Sequence, residues 1–149
     1  ERVTVLKPLL VGKQFPDLVL SDPQKKPIRL HQLVADYTVI TFYSPTCGHC
    51  KEAAPKLKEA FDTYKTKGVK IVAVAIDQDK DWAKFIKDYH LEDLVNGYDF
   101  SHQVDYRNKF DVMSTPMTYV LDKQKGIVAR RIPVEQLSDF LNFTLSKKQ

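Results

Sequence analysis

Tyr37-Thr38-Val39-Ile40-Thr41-Phe42-Tyr43 is an unbroken run of β-branched and aromatic residues, and it constrains the fold more than any other segment. A strand with one wet face alternates apolar and polar residues, whereas a run without alternation reads as a strand buried on both faces, inside a largely parallel sheet. Shortly after it, Ala53, Ala54, Leu57, Ala60, Phe61 and Tyr64 recur on one helical face, and Gly68 marks the stop. Val69–Ile76 is a second buried run, and Trp82, Phe85, Ile86 and Tyr89 then predict a second amphipathic helix with Trp82 in the core. Two strands joined through a helix form a parallel crossover unit.

The flanks add antiparallel pieces. Phe15–Leu20 and Pro27–Leu30 around Ser21-Asp22-Pro23 predict an N-terminal hairpin at a sheet edge. Val104–Phe110 reads as a short helix, Met117–Leu121 and Ile127–Arg131 as a hairpin around Gly126, and Pro133 opens a last helix with Val134, Leu137, Phe140 and Leu141 inward. The expected architecture is an α/β sandwich: a central mixed sheet, helices on both faces and an N-terminal hairpin extension. At 149 residues, a single domain over 1–149 is expected, and a first residue of Glu1 rather than Met suggests excision from a longer precursor.

The 23 basic and 19 acidic residues are interspersed, so the net charge of +4 gives no nucleic-acid footprint. No apolar stretch approaches the roughly 20 residues of a membrane span. The only cysteines, Cys47 and Cys50, flank Gly48-His49 where the first buried strand hands over to its helix. A disulfide across so short a loop removes little chain entropy, which argues against a structural clip. Zinc needs two further ligands, but His31, His90 and His102 are dispersed; haem attachment needs a His where Lys51 stands. No metal and no cofactor are expected beyond a redox-active Cys47–Cys50 disulfide.

A helix N-terminus stabilises an anion through its free N–H groups and dipole, so Cys47 is expected to be the acidic, attacking thiol. Cys50, one turn on and deeper, is placed to displace a substrate held on Cys47. The ring of His49 can add positive charge that stabilises the thiolate, with a weaker contribution from Lys51.

With the stretch TFYSPTCGHCK, the segment Val11–Leu18, Pro55 and Ser114-Thr115-Pro116-Met117-Thr118-Tyr119-Val120, nearly the whole chain resembles the thioredoxin superfamily. Within it, the chain is similar to the TlpA/ResA-like thiol-disulfide oxidoreductases of bacterial envelopes. The resemblance implies a thioredoxin-like fold, a Pro55 kink in the active-site helix, a cis bond before Pro116, and a Thr115 backbone that pairs with an extended substrate. It also implies Cys47 as attacker, Cys50 as resolver, protein or peptide disulfide substrates, an upstream dithiol donor, a monomer and a periplasmic setting. Two positions depart from the pattern: Thr41 stands where thioredoxins carry an acid, and Ala53 where the ResA-like group often has Glu. Glu52 is the remaining candidate acceptor for the Cys50 proton, against the plainer reading of a solvated surface carboxylate. Tyr43, Pro45 and Met113 are candidates for an apolar docking rim.

Two other functions fit the same fold. A thiol peroxidase of the peroxiredoxin type places Thr and Pro three and seven residues before its cysteine, where this chain has Ser44 and Ile40. A peptide-binding module without redox turnover is the third.

Overall fold

All seven residues from Tyr37 to Tyr43 are buried, as their unbroken apolar run requires. The computed structural model describes residues 9–147, and in it this segment is one of seven strands of a single sheet. They are β1 (Val19–Ser21), β2 (Pro27–Arg29), β3 (Tyr37–Tyr43), β4 (Val69–Ala75), β5 (Val95–Tyr98), β6 (Met117–Leu121) and β7 (Ile127–Arg130), in spatial order β2-β1-β5-β4-β3-β6-β7. β3 runs parallel to β4 from Tyr37↔Val69 to Tyr43↔Ala75, and β4 runs parallel to β5. The outer pairs β1–β2, β3–β6 and β6–β7 are antiparallel, which makes the sheet mixed.

Four helices are described: α1 (Gly48–Tyr64), α2 (Asp79–Asp88), α3 (Tyr106–Lys109) and α4 (Leu137–Lys147). Side chains alternate across the pleat, so Val39 and Tyr43 of β3 face one layer while Ile40 and Phe42 face the other. The first layer packs against Ala53, Ala54 and Leu57 of α1, Trp82 and Phe85 of α2, and Leu137 and Leu141 of α4. Trp82 is therefore a core residue. Opposite, α3 and the N-terminal segment cover an aromatic cluster, with Phe15 and Tyr119 rings 5.0 Å apart and Phe42 and Phe110 rings 5.6 Å apart. Edge-on and tilted contacts of this kind add to the burial of the rings themselves. No described helix is long and apolar enough to cross a membrane.

The hairpin β1–β2 does more than decorate an edge: Ser21 pairs with Tyr98, so it continues the same sheet beyond β5. The sequence did not announce β5, because Val95-Asn96-Gly97-Tyr98 lacks a strand pattern. Tertiary contacts explain its two unlikely residues. The Asn96 amide is buried and donates to the carbonyls of Leu91 and Leu94 at 2.8 and 3.1 Å, closing the approach to the strand. Gly97 lies under Leu20, and a methyl group there would come within 2.8 Å of Leu20 Cδ1 and 3.1 Å of its Cβ. Gly97→Ala is therefore expected to destabilise the protein by about 1–3 kcal/mol through overpacking, read as a lower urea midpoint at unchanged slope.

Candidate active site

The parallel strand β3 ends at Tyr43, and a short turn through Ser44, Pro45 and Thr46 delivers Cys47 to the head of α1. The Cys47 N–H donates to the Ser44 carbonyl at 3.0 Å, and the Cys47 carbonyl accepts from Lys51 at 3.0 Å. Cys47 caps the helix in extended conformation (φ −78°, ψ 126°), leaving its sulfur beside the free N–H groups of the first turn. α1 then continues through Pro55, which removes one backbone donor from the helix interior.

Both cysteines are free thiols in very different surroundings. Cys47 is partly exposed, and its thiol donates to the Thr115 carbonyl across 3.7 Å. Burial opposes its ionisation, but the neighbouring Thr115 and Cys50 side chains and the nearby backbone N–H groups of Cys50 and His49, which favour the thiolate, together outweigh it. Its pKa falls below the ordinary thiol value. Cys50 is 2% exposed. Burial, followed by the proximity of Cys47, pushes its pKa up to about 11, against the lowering influence of the Thr115 side chain and the Ser44 backbone. One thiol of the pair is thus more acidic than a free cysteine and its neighbour much less so.

The structure brings Cys47, Cys50, Thr115 and Pro116 together, and the Thr115–Pro116 bond is cis. It places the other candidates differently. The His49 side chain is 86% exposed, with Nδ1 3.5 Å from Glu52, whose side chain is 78% exposed. What reaches Cys47 from His49 is the backbone N–H, not the ring. Glu52 meets His49 in solvent, and among the described residues no carboxylate has a hydrogen bond to Cys50. At the position of the absent acid, the Thr41 hydroxyl is buried 3.0 Å from that of Thr118.

The expected apolar rim needs correction. Tyr43 is 3% exposed, and its ring stacks 4.7 Å from Phe85. Pro45 is buried too, and of the three only Met113 reaches the surface. The reason is parity: the last residue of a strand buried on both faces points into the α1–α2 layer rather than out of the sheet end. Burial raises the Tyr43 pKa, and charge on Cys50 adds to it. The Trp82 indole N–H offsets part of this shift without reaching hydrogen-bond geometry.

A cavity of about 490 Å³ opens beside the head of α1, lined by His49, Ala53, Met113, Pro116, Thr118 and Arg131 among others. Sequence reading missed Thr118 and Arg131, as well as the buried Asp111 that Arg131 meets. The visible signal was the Arg130-Arg131 doublet just before Pro133, at the end of a predicted strand. Among the described residues, no group of three or more His, Cys, Asp and Glu converges as a metal site.

Ile40 and Ser44 occupy the positions that a peroxiredoxin fills with Pro and Thr. Ile40 faces the aromatic layer, on the opposite side of the sheet from Cys50.

Residues 11–130 match the AhpC/TSA family. The thiol-disulfide oxidoreductase ResA of Bacillus cereus (strain ZK / E33L) is 30% identical over 142 residues, covering 92% of this chain and 78% of the relative. ResA of Bacillus subtilis (strain 168) is 27% identical over 135 residues, covering 88% of this chain and 74% of the relative. Among solved structures, a domain of a possible thiol-disulfide isomerase from Cytophaga hutchinsonii superimposes with a TM-score of 0.86 at 36% identity, covering 95% of this chain and 98% of that one. With a thiol pair at the head of α1 and relatives of this kind across nearly its whole length, the chain belongs to the AhpC/TSA family of thioredoxin-like proteins and is a thiol-disulfide oxidoreductase.

Proposed function

We propose that the protein reduces or isomerises disulfides in protein substrates, with Cys47 as attacking and Cys50 as resolving thiol. The observation that carries this reading is the opposite displacement of the two thiols, Cys47 downwards and Cys50 upwards, within one turn of helix. The Cys47 thiolate attacks one sulfur of a substrate disulfide, forming a mixed disulfide and releasing the other sulfur as a thiolate that takes a proton from solvent. Cys50 then loses its proton and attacks the Cys47 sulfur. The remaining substrate thiolate leaves, the Cys47–Cys50 disulfide closes, and two electrons have passed to the substrate.

The mixed disulfide also readies the second step. Negative charge on Cys47 is one cause of the high Cys50 pKa, and it vanishes when Cys47 becomes covalently bound to substrate. Cys50 thus becomes easier to ionise when its attack is needed, without a buried carboxylate beside it. Thr115, beside both sulfurs, offers its backbone to an extended substrate segment, and the adjoining cavity receives a neighbouring side chain. A dithiol donor returns the pair to the reduced state. The reading includes action as a monomer in a bacterial envelope compartment, which rests on the family resemblance.

The reduced protein is expected to accelerate dithiothreitol-driven reduction of insulin at least ~10-fold over dithiothreitol alone. Its consumption of hydrogen peroxide is expected to exceed that of free cysteine by no more than its larger thiolate fraction supplies, about tenfold. The opposite pattern, rapid peroxide consumption with no insulin reduction, supports a thiol peroxidase, and inertness in both assays supports a binding module.

A further inference from the structure

Asp111 is a fully buried carboxylate in a protein whose other acids lie mostly at the surface. Its Oδ2 accepts from Arg130 at 3.0 Å and from Arg131 at 2.5 Å. Both arginines stand where β7 ends, and Asp111 opens the segment Asp111–Pro116 that carries Thr115 to the sulfurs. Neither end of this ion pair is in relaxed backbone. Asp111 has φ +54° and Arg131 φ +56°, in the left-handed region that non-glycine residues rarely adopt. Such conformations persist where the surroundings over-determine them, and they concentrate at functional sites.

Residues 113–115 make no backbone–backbone hydrogen bond among the described residues, and the sheet ladder resumes only with Met117 opposite Phe42. Upstream, the segment is fixed by the buried Phe110 and Val112, by the bond from Val112 N–H to the Tyr106 carbonyl at 3.1 Å, and by the Asp111 carboxylate. Met113 and Ser114, before Pro116, line the cavity, and so does the segment that Arg131 begins after β7, which makes two separate walls in the chain. The ion pair therefore ties the two walls together. Drift of either side pulls apart a charge pair whose carboxylate is buried, which is more costly than losing a surface pair.

We infer that Asp111, clamped by Arg130 and Arg131, is a positioning residue that sets Thr115 against the two sulfurs and fixes the width of the substrate cavity. This rests on the dithiol reading proposed above, in which the Thr115 side chain favours the Cys47 thiolate and its backbone receives substrate.

Two variants of the full chain test it. Asp111→Asn keeps size and acceptor, suits a positive φ and removes the charge; Arg131→Lys keeps the charge and removes the forked geometry. The readouts are the pH midpoint of Cys47 alkylation and the KM and kcat for reduction of a peptide disulfide. Both variants are expected to raise the midpoint by ~0.5–1 pH unit and KM by ~5–10-fold, with kcat less affected. The sign is diagnostic in Asp111→Asn, because losing a negative charge by itself favours the thiolate and lowers the midpoint. A midpoint that is lower or unchanged in a cooperatively folded Asp111→Asn protein overturns the inference. Should that variant not fold, an unchanged midpoint and KM in Arg131→Lys overturns it instead. A wild-type Cys47 midpoint no lower than that of free cysteine sinks the dithiol reading, whereas a low midpoint shared by wild type and variants sinks only the role of Asp111.

Discussion

At pH 7, iodoacetamide is expected to alkylate Cys47 of the reduced protein at least ~30-fold faster than Cys50. The nucleophile is the thiolate, and a group whose pKa is about 11 is ionised to only about one part in 10⁴ at that pH. A thiol of pKa about 9 is ionised to about 1%, and Cys47 lies below that value, so ionisation alone favours it by ~100-fold or more. The weaker intrinsic nucleophilicity of a more acidic thiolate returns about tenfold of this. The 2% exposure of Cys50 then widens the gap again. The pH dependence carries the sign. Above its low midpoint the Cys47 rate levels off, while the Cys50 rate climbs with each unit towards pH 11, so the selectivity narrows as pH rises. Peptide mass spectrometry of briefly labelled samples reads both rates. Equal labelling, or a ratio indifferent to pH, contradicts the assignment of roles.

How far the sequence reached depended on whether a residue's role is local or tertiary. The run from Tyr37 to Tyr43 announced a buried strand because seven consecutive apolar or β-branched residues leave no wet face. The position of Cys47 followed from local pattern too, since the end of that strand and the start of the Ala53–Tyr64 periodicity bracket it. β5 was invisible because its residues are chosen by neighbours distant in sequence, Leu20 above Gly97 and the Leu91 turn beside Asn96. The misplaced rim has a related cause. Tyr43 and Pro45 lie next to Cys47 in the chain, but the strand's parity and the tight turn at its end send them inward. Chain proximity to a reactive residue says little about proximity to its substrate.

His49 shows the same separation of identity from position. Its ring suggested a charge that tunes the pair, yet the ring meets Glu52 in solvent and only the backbone N–H, which nearly any residue would supply, reaches Cys47. The residues shaping the thiols most directly are Thr115, far along the chain, and the buried setting of Cys50 itself. Neither shows a chemical signature in the motif.

In the absence of external thiol, Cys50→Ser is expected to stop at a covalent complex, one substrate sulfur joined to Cys47, with release slowed by at least ~10³-fold. Cys47→Ser is expected to form no such complex and to reduce nothing. The asymmetry follows from the geometry. Cys47 is partly exposed at the helix head beside the cavity, where a substrate disulfide can approach in line, whereas Cys50 lies beneath the surface and can reach little besides its neighbour. A nucleophile held one turn away acts as though present at very high concentration, ~10⁵ M or more for well-aligned groups, so its loss is felt in the resolving step and not in the attack. Non-reducing gels and intact mass read the complex directly, and dithiothreitol should release it, since an external thiol substitutes for the missing one. If Cys47→Ser accumulates the mixed species and Cys50→Ser does not, the roles are reversed, and the displacement of the two thiols must then be serving the buried cysteine, whose attack would need α1 to lift away from the sheet. The small residues Ala53 and Ala54 that seat α1 close to β3, and the undisturbed pairing of β3 along its whole length with β4, argue that it does not lift.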